Sequence, residues 1–108
     1  MGLFRKTERR NPDPAETHVY YSTPFGDTDD GNQKLFFLQR EGVLFMPVFL
    51  SVDSMKEFYR QSNRAAYAVL QGDVTSVSDL IRSIDVLKGA GIVIEPLSAN
   101  PIEIPPTA

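Results

Sequence analysis

The stretch Ser76-Val77-Ser78-Asp79-Leu80-Ile81-Arg82-Ser83-Ile84-Asp85-Val86-Leu87-Lys88-Gly89-Ala90-Gly91-Ile92-Val93-Ile94 decides how the chain folds. Within it Val77, Leu80, Ile81, Ile84 and Leu87 recur at i, i+3, i+4, i+7 and i+10, which places one apolar stripe on a helix. Ser76 stands ahead of the stripe as its start, and Asp79 complements the N-terminal end of the helix dipole. Gly89 and Gly91 end the helix, because glycine adopts the left-handed backbone that closes a last turn. Ile92-Val93-Ile94 then runs apolar without alternation, the pattern of a strand covered on both faces. An amphipathic helix feeding a covered strand needs a sheet to pack on, so the fold class is α+β.

Upstream, Leu35 to Arg40 and Val43 to Leu50 are two apolar runs joined by Glu41-Gly42, a hairpin signal. Pro47 lacks an N–H for a ladder, which predicts a bend there or an edge position for the second run. Ser51 or Ser54 caps a first helix, with Ser54 and Glu57 at capping-box spacing. Its stripe is Val52, Met55, Phe58 and Tyr59, and Asn63 stops it. Tyr67 to Leu70 reads as a short strand closed by Gln71-Gly72-Asp73, and Thr17 to Tyr21 as the first strand. Residues 24 to 33 read as a turn-rich loop with no regular element. After the Pro96 turn, Ile102-Glu103-Ile104 alternates as an edge strand does. There is no internal repeat. The expected architecture is a mixed sheet of five or six strands with two helices packed on one face. Burying the five apolar residues of the second helix supplies roughly 8–12 kcal/mol before entropy. On this reading Ile84→Asp unfolds the domain.

The chain has 108 residues, of which 42% are hydrophobic and 23% charged, the composition of one soluble globular domain. It has no cysteine, which removes disulfides and thiolate chemistry and favours a cytoplasmic, reducing location. Val43 to Leu50 is too short to span a bilayer, and Arg5 and Lys6 follow Leu3 and Phe4 too closely for a signal peptide. Four of the eleven basic residues fall in the first ten positions. From Asn11 onward seven Lys or Arg face thirteen Asp or Glu, a net −6 that excludes a nucleic-acid surface on the folded part. Residues 1–17 therefore read as a basic tail and 18–108 as the single domain, with no membrane partner expected.

The run Met46-Pro47-Val48-Phe49 ends the hairpin strand, a helix led by Ser51 follows, and Gly91-Ile92-Val93-Ile94-Glu95-Pro96 comes after the second helix. This pattern resembles the N-terminal domain of the SseB (enhanced serine sensitivity) family of bacterial proteins. It covers about two thirds of the chain, from Leu35 onward, and the family carries Asn at the position of Glu95. The resemblance implies an α+β fold and no established activity.

No residue is nominated as catalytic, metal-binding or cofactor-binding. His18 is the single histidine and has no cysteine to act with, so it reads as a solvated strand-end residue. Asp27, Asp29 and Asp30 resemble a calcium loop, but position five is Gly31 and position twelve is Leu38. Gly89-Ala90-Gly91 follows a helix and precedes a strand, the reverse of the phosphate-loop order. Lys6 stands where a myristoylation signal wants Ser or Thr. Tyr20, Tyr21, Tyr59, Arg60 and Arg64 are of types enriched at protein interfaces and form the candidate partner surface. The leading expectation is a non-enzymatic protein-interaction or regulatory module without a cofactor. The alternative is a small-molecule-binding or catalytic domain with its pocket at the Gly26–Gln33 loop. A weak homodimer through the Ile102–Ile104 strand is a third expectation.

Overall fold

The computed structural model of the protein describes residues 17–106. All of the basic tail read over residues 1–17, except Thr17, lies outside those described. Along the chain run β1 (His18–Tyr21), β2 (Phe25–Asp27), β3 (Gln33–Leu35), β4 (Leu38–Arg40), β5 (Val43–Val48), α1 (Val52–Gln61), β6 (Leu70–Asp73), α2 (Val74–Arg82), β7 (Gly91–Ile94) and β8 (Ile102–Ile104). The fold is α+β. Its largest sheet has four strands in the order β4-β5-β7-β8, with β5 and β7 parallel and the outer pairs antiparallel. Antiparallel β1-β6 and β2-β3 form two smaller sheets. Tyr20 and Phe49 exchange backbone hydrogen bonds of 2.7 and 2.9 Å, which ties β1 to the end of β5. The expected single sheet of five or six strands is thus corrected to one of four, with the β1-β6 pair attached through that bridge.

Pro47 lies inside β5, fully buried, and β5 is a central strand. The expected edge position is thus corrected. Phe49 turns its N–H and C=O toward β1, and positions two apart on a strand face the same way. The missing N–H of Pro47 therefore falls between the last β4 pair, Leu38–Phe45, and the Tyr20–Phe49 bridge. No ladder bond is lost there.

The two helices pack on opposite sides of β5 rather than on one face. Met46 and Val48 of β5, with Ile92 and Ile94 of β7, meet Val74, Val77 and Ile81 of α2. Phe49, of the other parity, meets Met55, Phe58 and Tyr59 of α1 together with Phe36.

Helix α1 matches its sequence reading at its cap and its stop, but no Ser54–Glu57 capping box forms, since Glu57 accepts from Arg60 and Gln61 instead. Ser51 is the cap, its hydroxyl accepting the Ser54 N–H at 3.2 Å, and Asn63 stops the chain with φ at 59°. Helix α2 differs at both ends. Asp73 caps it by accepting the Ser76 N–H at 2.8 Å, so the helix starts at Val74. Asp79 is consequently past the first turn and pairs with Arg82 instead of meeting the dipole. The helix stops at Arg82, where the Ser83 hydroxyl donates to the Leu80 carbonyl at 2.7 Å and Ile84 is extended. A single 3-10 turn, Asp85–Leu87, then delivers Leu87 to the core. The apolar stripe is right, but one continuous helix does not carry it.

Two other boundaries move. Gln71-Gly72-Asp73, read as a closing turn, is ladder: β6 pairs with β1, Tyr21 opposite Leu70 through His18 opposite Asp73. Tyr67 to Val69 is irregular. The 24–33 segment contains β2 and the first residue of β3, so it builds a hairpin around Thr28–Asn32. The Glu41-Gly42 turn holds, with φ of 53° and 80°, the two positive values a type I′ hairpin requires.

Candidate functional site

The carboxyl ends of the parallel strands β5 and β7 lie side by side, Val48 opposite Ile94. In sheets with parallel strands, ligands gather outside such ends. Here β5 runs through Leu50 into the N-terminus of α1, and β7 runs into the Glu95–Pro101 loop. Glu95 adopts φ of 55°, left-handed backbone that costs an L residue free energy. Its N–H donates to the Val48 carbonyl at 2.9 Å. Its carboxylate accepts the Leu50 N–H and the Ser54 hydroxyl, each at 2.6 Å. One side chain therefore clamps the 95–101 loop to the start of α1 across the sheet end.

Around this clamp the surface is apolar. Leu50, Leu97 and Ile102 are 51, 48 and 52% exposed, three of the large exposed hydrophobics among the described residues. Leu50 and Ile102 line a cleft of about 280 Å³ with Ile94, Glu95 and Asn100, and Leu97 projects from the same loop. The sequence reading did not nominate Leu50 or Leu97. Leu50 reads as the last residue of a strand, and only the tertiary fold sets it beside Ile102.

The five nominated surface residues do not converge. Tyr59 and Arg64 are buried, at 2 and 6% exposure, which corrects their reading as partner surface. Arg60 and Arg64 do not share a helix face, because α1 ends at Gln61 and Asn63 turns the chain inward. Arg60 stays on the exposed face, 2.5 Å from Glu57. Tyr20 and Tyr21 are half-buried and packed on opposite faces of β1, one against the α1 cluster and one against the α2 cluster.

Arg64 lies within an aromatic enclosure, its guanidinium carbon 4.7, 4.8 and 5.9 Å from the ring centres of Phe36, Tyr59 and Tyr67. Its Nη2 donates to the Thr23 hydroxyl and the Phe25 carbonyl, both at 3.1 Å. Burial drives the Tyr59 phenol up to about 12, against the opposing pull of the nearby guanidinium. The cation helps the phenol less than burial hinders it.

The Gly26–Gln33 loop borders an open cleft of about 330 Å³ lined by Thr28, Asp29, Asp30, Lys34, Ser62 and Asn63. The Asp30 carboxylate accepts the Thr28 hydroxyl and the Asn32 N–H, and these bonds, the Thr28 one foremost, hold it below its ordinary range. No group of three or more His, Cys, Asp or Glu is arranged to hold a metal among the described residues. His18 is exposed at the start of β1, its ring edge-on to Tyr20. No described helix is long and apolar enough to cross a membrane. No protein-family model, curated protein or solved structure matches the chain.

Proposed function

We propose that this chain is a non-enzymatic, SseB-like protein-interaction module that receives an apolar segment of a partner protein at the β5/β7 sheet end. The observation that carries the reading is that Leu50 and Ile102, each about half exposed, line one cleft beside the Glu95 clamp, with exposed Leu97 on the adjoining loop. Contiguous exposed apolar surface marks interaction sites more often than scattered single residues do. Glu95 supports the family part of the proposal, since its left-handed backbone suits the Asn carried there by that family.

Site-specific photo-crosslinking tests the reading. A crosslinker at Leu50 or Ile102 is expected to capture one partner in native cells, and a crosslinker at Val86, 74% exposed elsewhere on the surface, is not. Leu50→Asp combined with Ile102→Asp should abolish capture without lowering the melting temperature. Equal capture from all positions, or none from any, would sink the proposal. Light scattering tells a second copy of the chain from a different partner.

The second reading is a polar ligand in the cleft beside the Gly26–Gln33 loop, supported by that cleft's volume of about 330 Å³. Its lining lacks the apolar floor usual in small-molecule sites. A metabolite and metal thermal-shift screen decides it, because a ligand at 100 times its Kd adds about 2.7 kcal/mol.

A further inference from the structure

Ser22 and Arg64 are the buried polar side chains among the described residues, at 0 and 6% exposure. Both carry orphaned atoms: Ser22 Oγ, Arg64 Nε and Arg64 Nη1 have no hydrogen-bond partner among the described residues. Thr23, the neighbour of Ser22 in the chain, takes the bond from Arg64 Nη2. No described carboxylate pairs with the guanidinium; Asp27 and Asp29 meet its neighbours Ala65 and Asn63 through backbone groups only, the Asp27 carbonyl accepting from Ala65 N–H and the Asp29 N–H donating to the Asn63 carbonyl. The aromatic rings attract the cation and Nη2 is satisfied, but Nε and Nη1 find no acceptor among the described residues. A buried charge with unfilled donors is costly, and an oxyanion supplies both the counter-charge and the missing acceptors.

What closes the site is the β2–β3 hairpin. Gly26 lies so near that a Cβ built on it would sit 2.5 Å from Arg64 Nε and 2.6 Å from Nη2. The hairpin is a separate two-stranded sheet with mostly exposed residues, held to the body through Asn63, Ala65, Arg64 itself and one apolar side chain, Leu35, packed on the α2 core. Such small, exposed elements open locally at low cost. The carboxylates of Asp27, Asp29 and Asp30 ride on it, so they oppose an anion while it is shut and leave with it when it lifts. We propose that Arg64 is the receptor for a carboxylate or phosphate group, admitted when the β2–β3 hairpin lifts away.

The test uses the whole chain with inorganic phosphate and acetate as probes, and chloride at equal ionic strength as the control. Side-chain NMR of Arg64 Nε and amide exchange are read together. Expected is a saturable Nε shift with one or both oxyanions, with faster exchange at residues 25–35 and unchanged exchange in β5 and β7. Gly26→Ala, whose Cβ would press on the Arg64 guanidinium and so weaken the contact between it and the hairpin, should tighten binding about tenfold by raising the competent fraction. In Arg64→Lys, which has no guanidinium Nε to read, the oxyanion-dependent change in amide exchange at residues 25–35 should be lost, and the Gly26→Ala result keeps the test decisive if that variant misfolds. An Nε resonance indifferent to both oxyanions in the parent chain and in Gly26→Ala overturns the proposal. So does a response that chloride reproduces, or a shift without any change in hairpin exchange.

Discussion

The clamp at Glu95 makes the sharpest stability prediction, because two opposing terms act at one residue. The carboxylate holds the Leu50 N–H and the Ser54 hydroxyl, each at 2.6 Å. Hydrogen bonds to a charged group contribute about 1.5–3 kcal/mol each when buried, and these are partly exposed, so about 1 kcal/mol each is the appropriate scale. Against this stands the left-handed backbone at φ of 55°, which costs an L residue about 1 kcal/mol and costs glycine almost nothing. Glu95→Ala loses both bonds and keeps the backbone cost, for a net loss of about 2 kcal/mol. Glu95→Gly loses the same bonds but relieves the backbone, for a net loss of about 1 kcal/mol. Glu95→Gln keeps an acceptor and loses the charge, and should also fall about 1 kcal/mol below the parent. Urea unfolding at constant m-value measures all three, and 1 kcal/mol corresponds to about 4–8 °C in Tm for a domain of this size. If Ala proves as stable as Gly, the residue is not in the left-handed region. If all three variants match the parent within about 0.5 kcal/mol, the carboxylate bonds contribute nothing and the clamp is not one.

A Cβ on Gly91 would lie 2.5 Å from the Ile104 carbonyl oxygen and 2.9 Å from the Phe45 ring. Gly91→Ala should therefore cost about 1–3 kcal/mol in chemical denaturation, and a loss under 0.5 would show that the β7–β8 contact is looser than described. Ile81 is 3% exposed and Ile84 only half-buried at the start of the 3-10 turn, so Ile81→Asp should abolish cooperative unfolding whereas Ile84→Asp should cost about 2 kcal/mol. Equal effects in thermal melts would restore the single long helix. The Glu57 carboxyl is held at about 2, against an ordinary 4.5, by hydrogen bonds from Arg60 first and Gln61 second. Because its folded value lies below the unfolded one, it favours folding above about 4.5, and that contribution disappears as pH falls through about 2. Carbon-13 titration should find this midpoint, and Arg60→Ala should return it toward 4.5; a midpoint unmoved by that substitution refutes the assignment.

Features that depend on a residue and its near neighbours were legible in the sequence. The Ser51 cap, the Asn63 stop and the Glu41-Gly42 turn each follow from what one backbone position demands. The stripe of α1 and the covered strand Ile92-Val93-Ile94 follow from side-chain period alone, and the strand is buried at every residue. Of the candidate site, only Ile102 was legible, as one alternating residue of a terminal strand.

The tertiary structure decided everything that rests on which distant backbone groups meet. Strand β6 lies three residues beyond its expected place because β1 offers a ladder there, with Tyr21 opposite Leu70. Pro47 is central because its missing N–H falls where β5 changes partner from β4 to β1. Helix α2 ends early because Ser83 bonds back to Leu80, while Leu87 still reaches the core from a separate turn. Tyr59 and Arg64 carry the chemistry of surface residues, yet Phe36, Tyr67 and the β2–β3 hairpin enclose them. Leu50 and Ile102 share a cleft although 52 positions separate them. Local periodicity reports which side of an element is apolar, but closing such a long loop selects one pairing among many, and that choice is made only when the whole core packs.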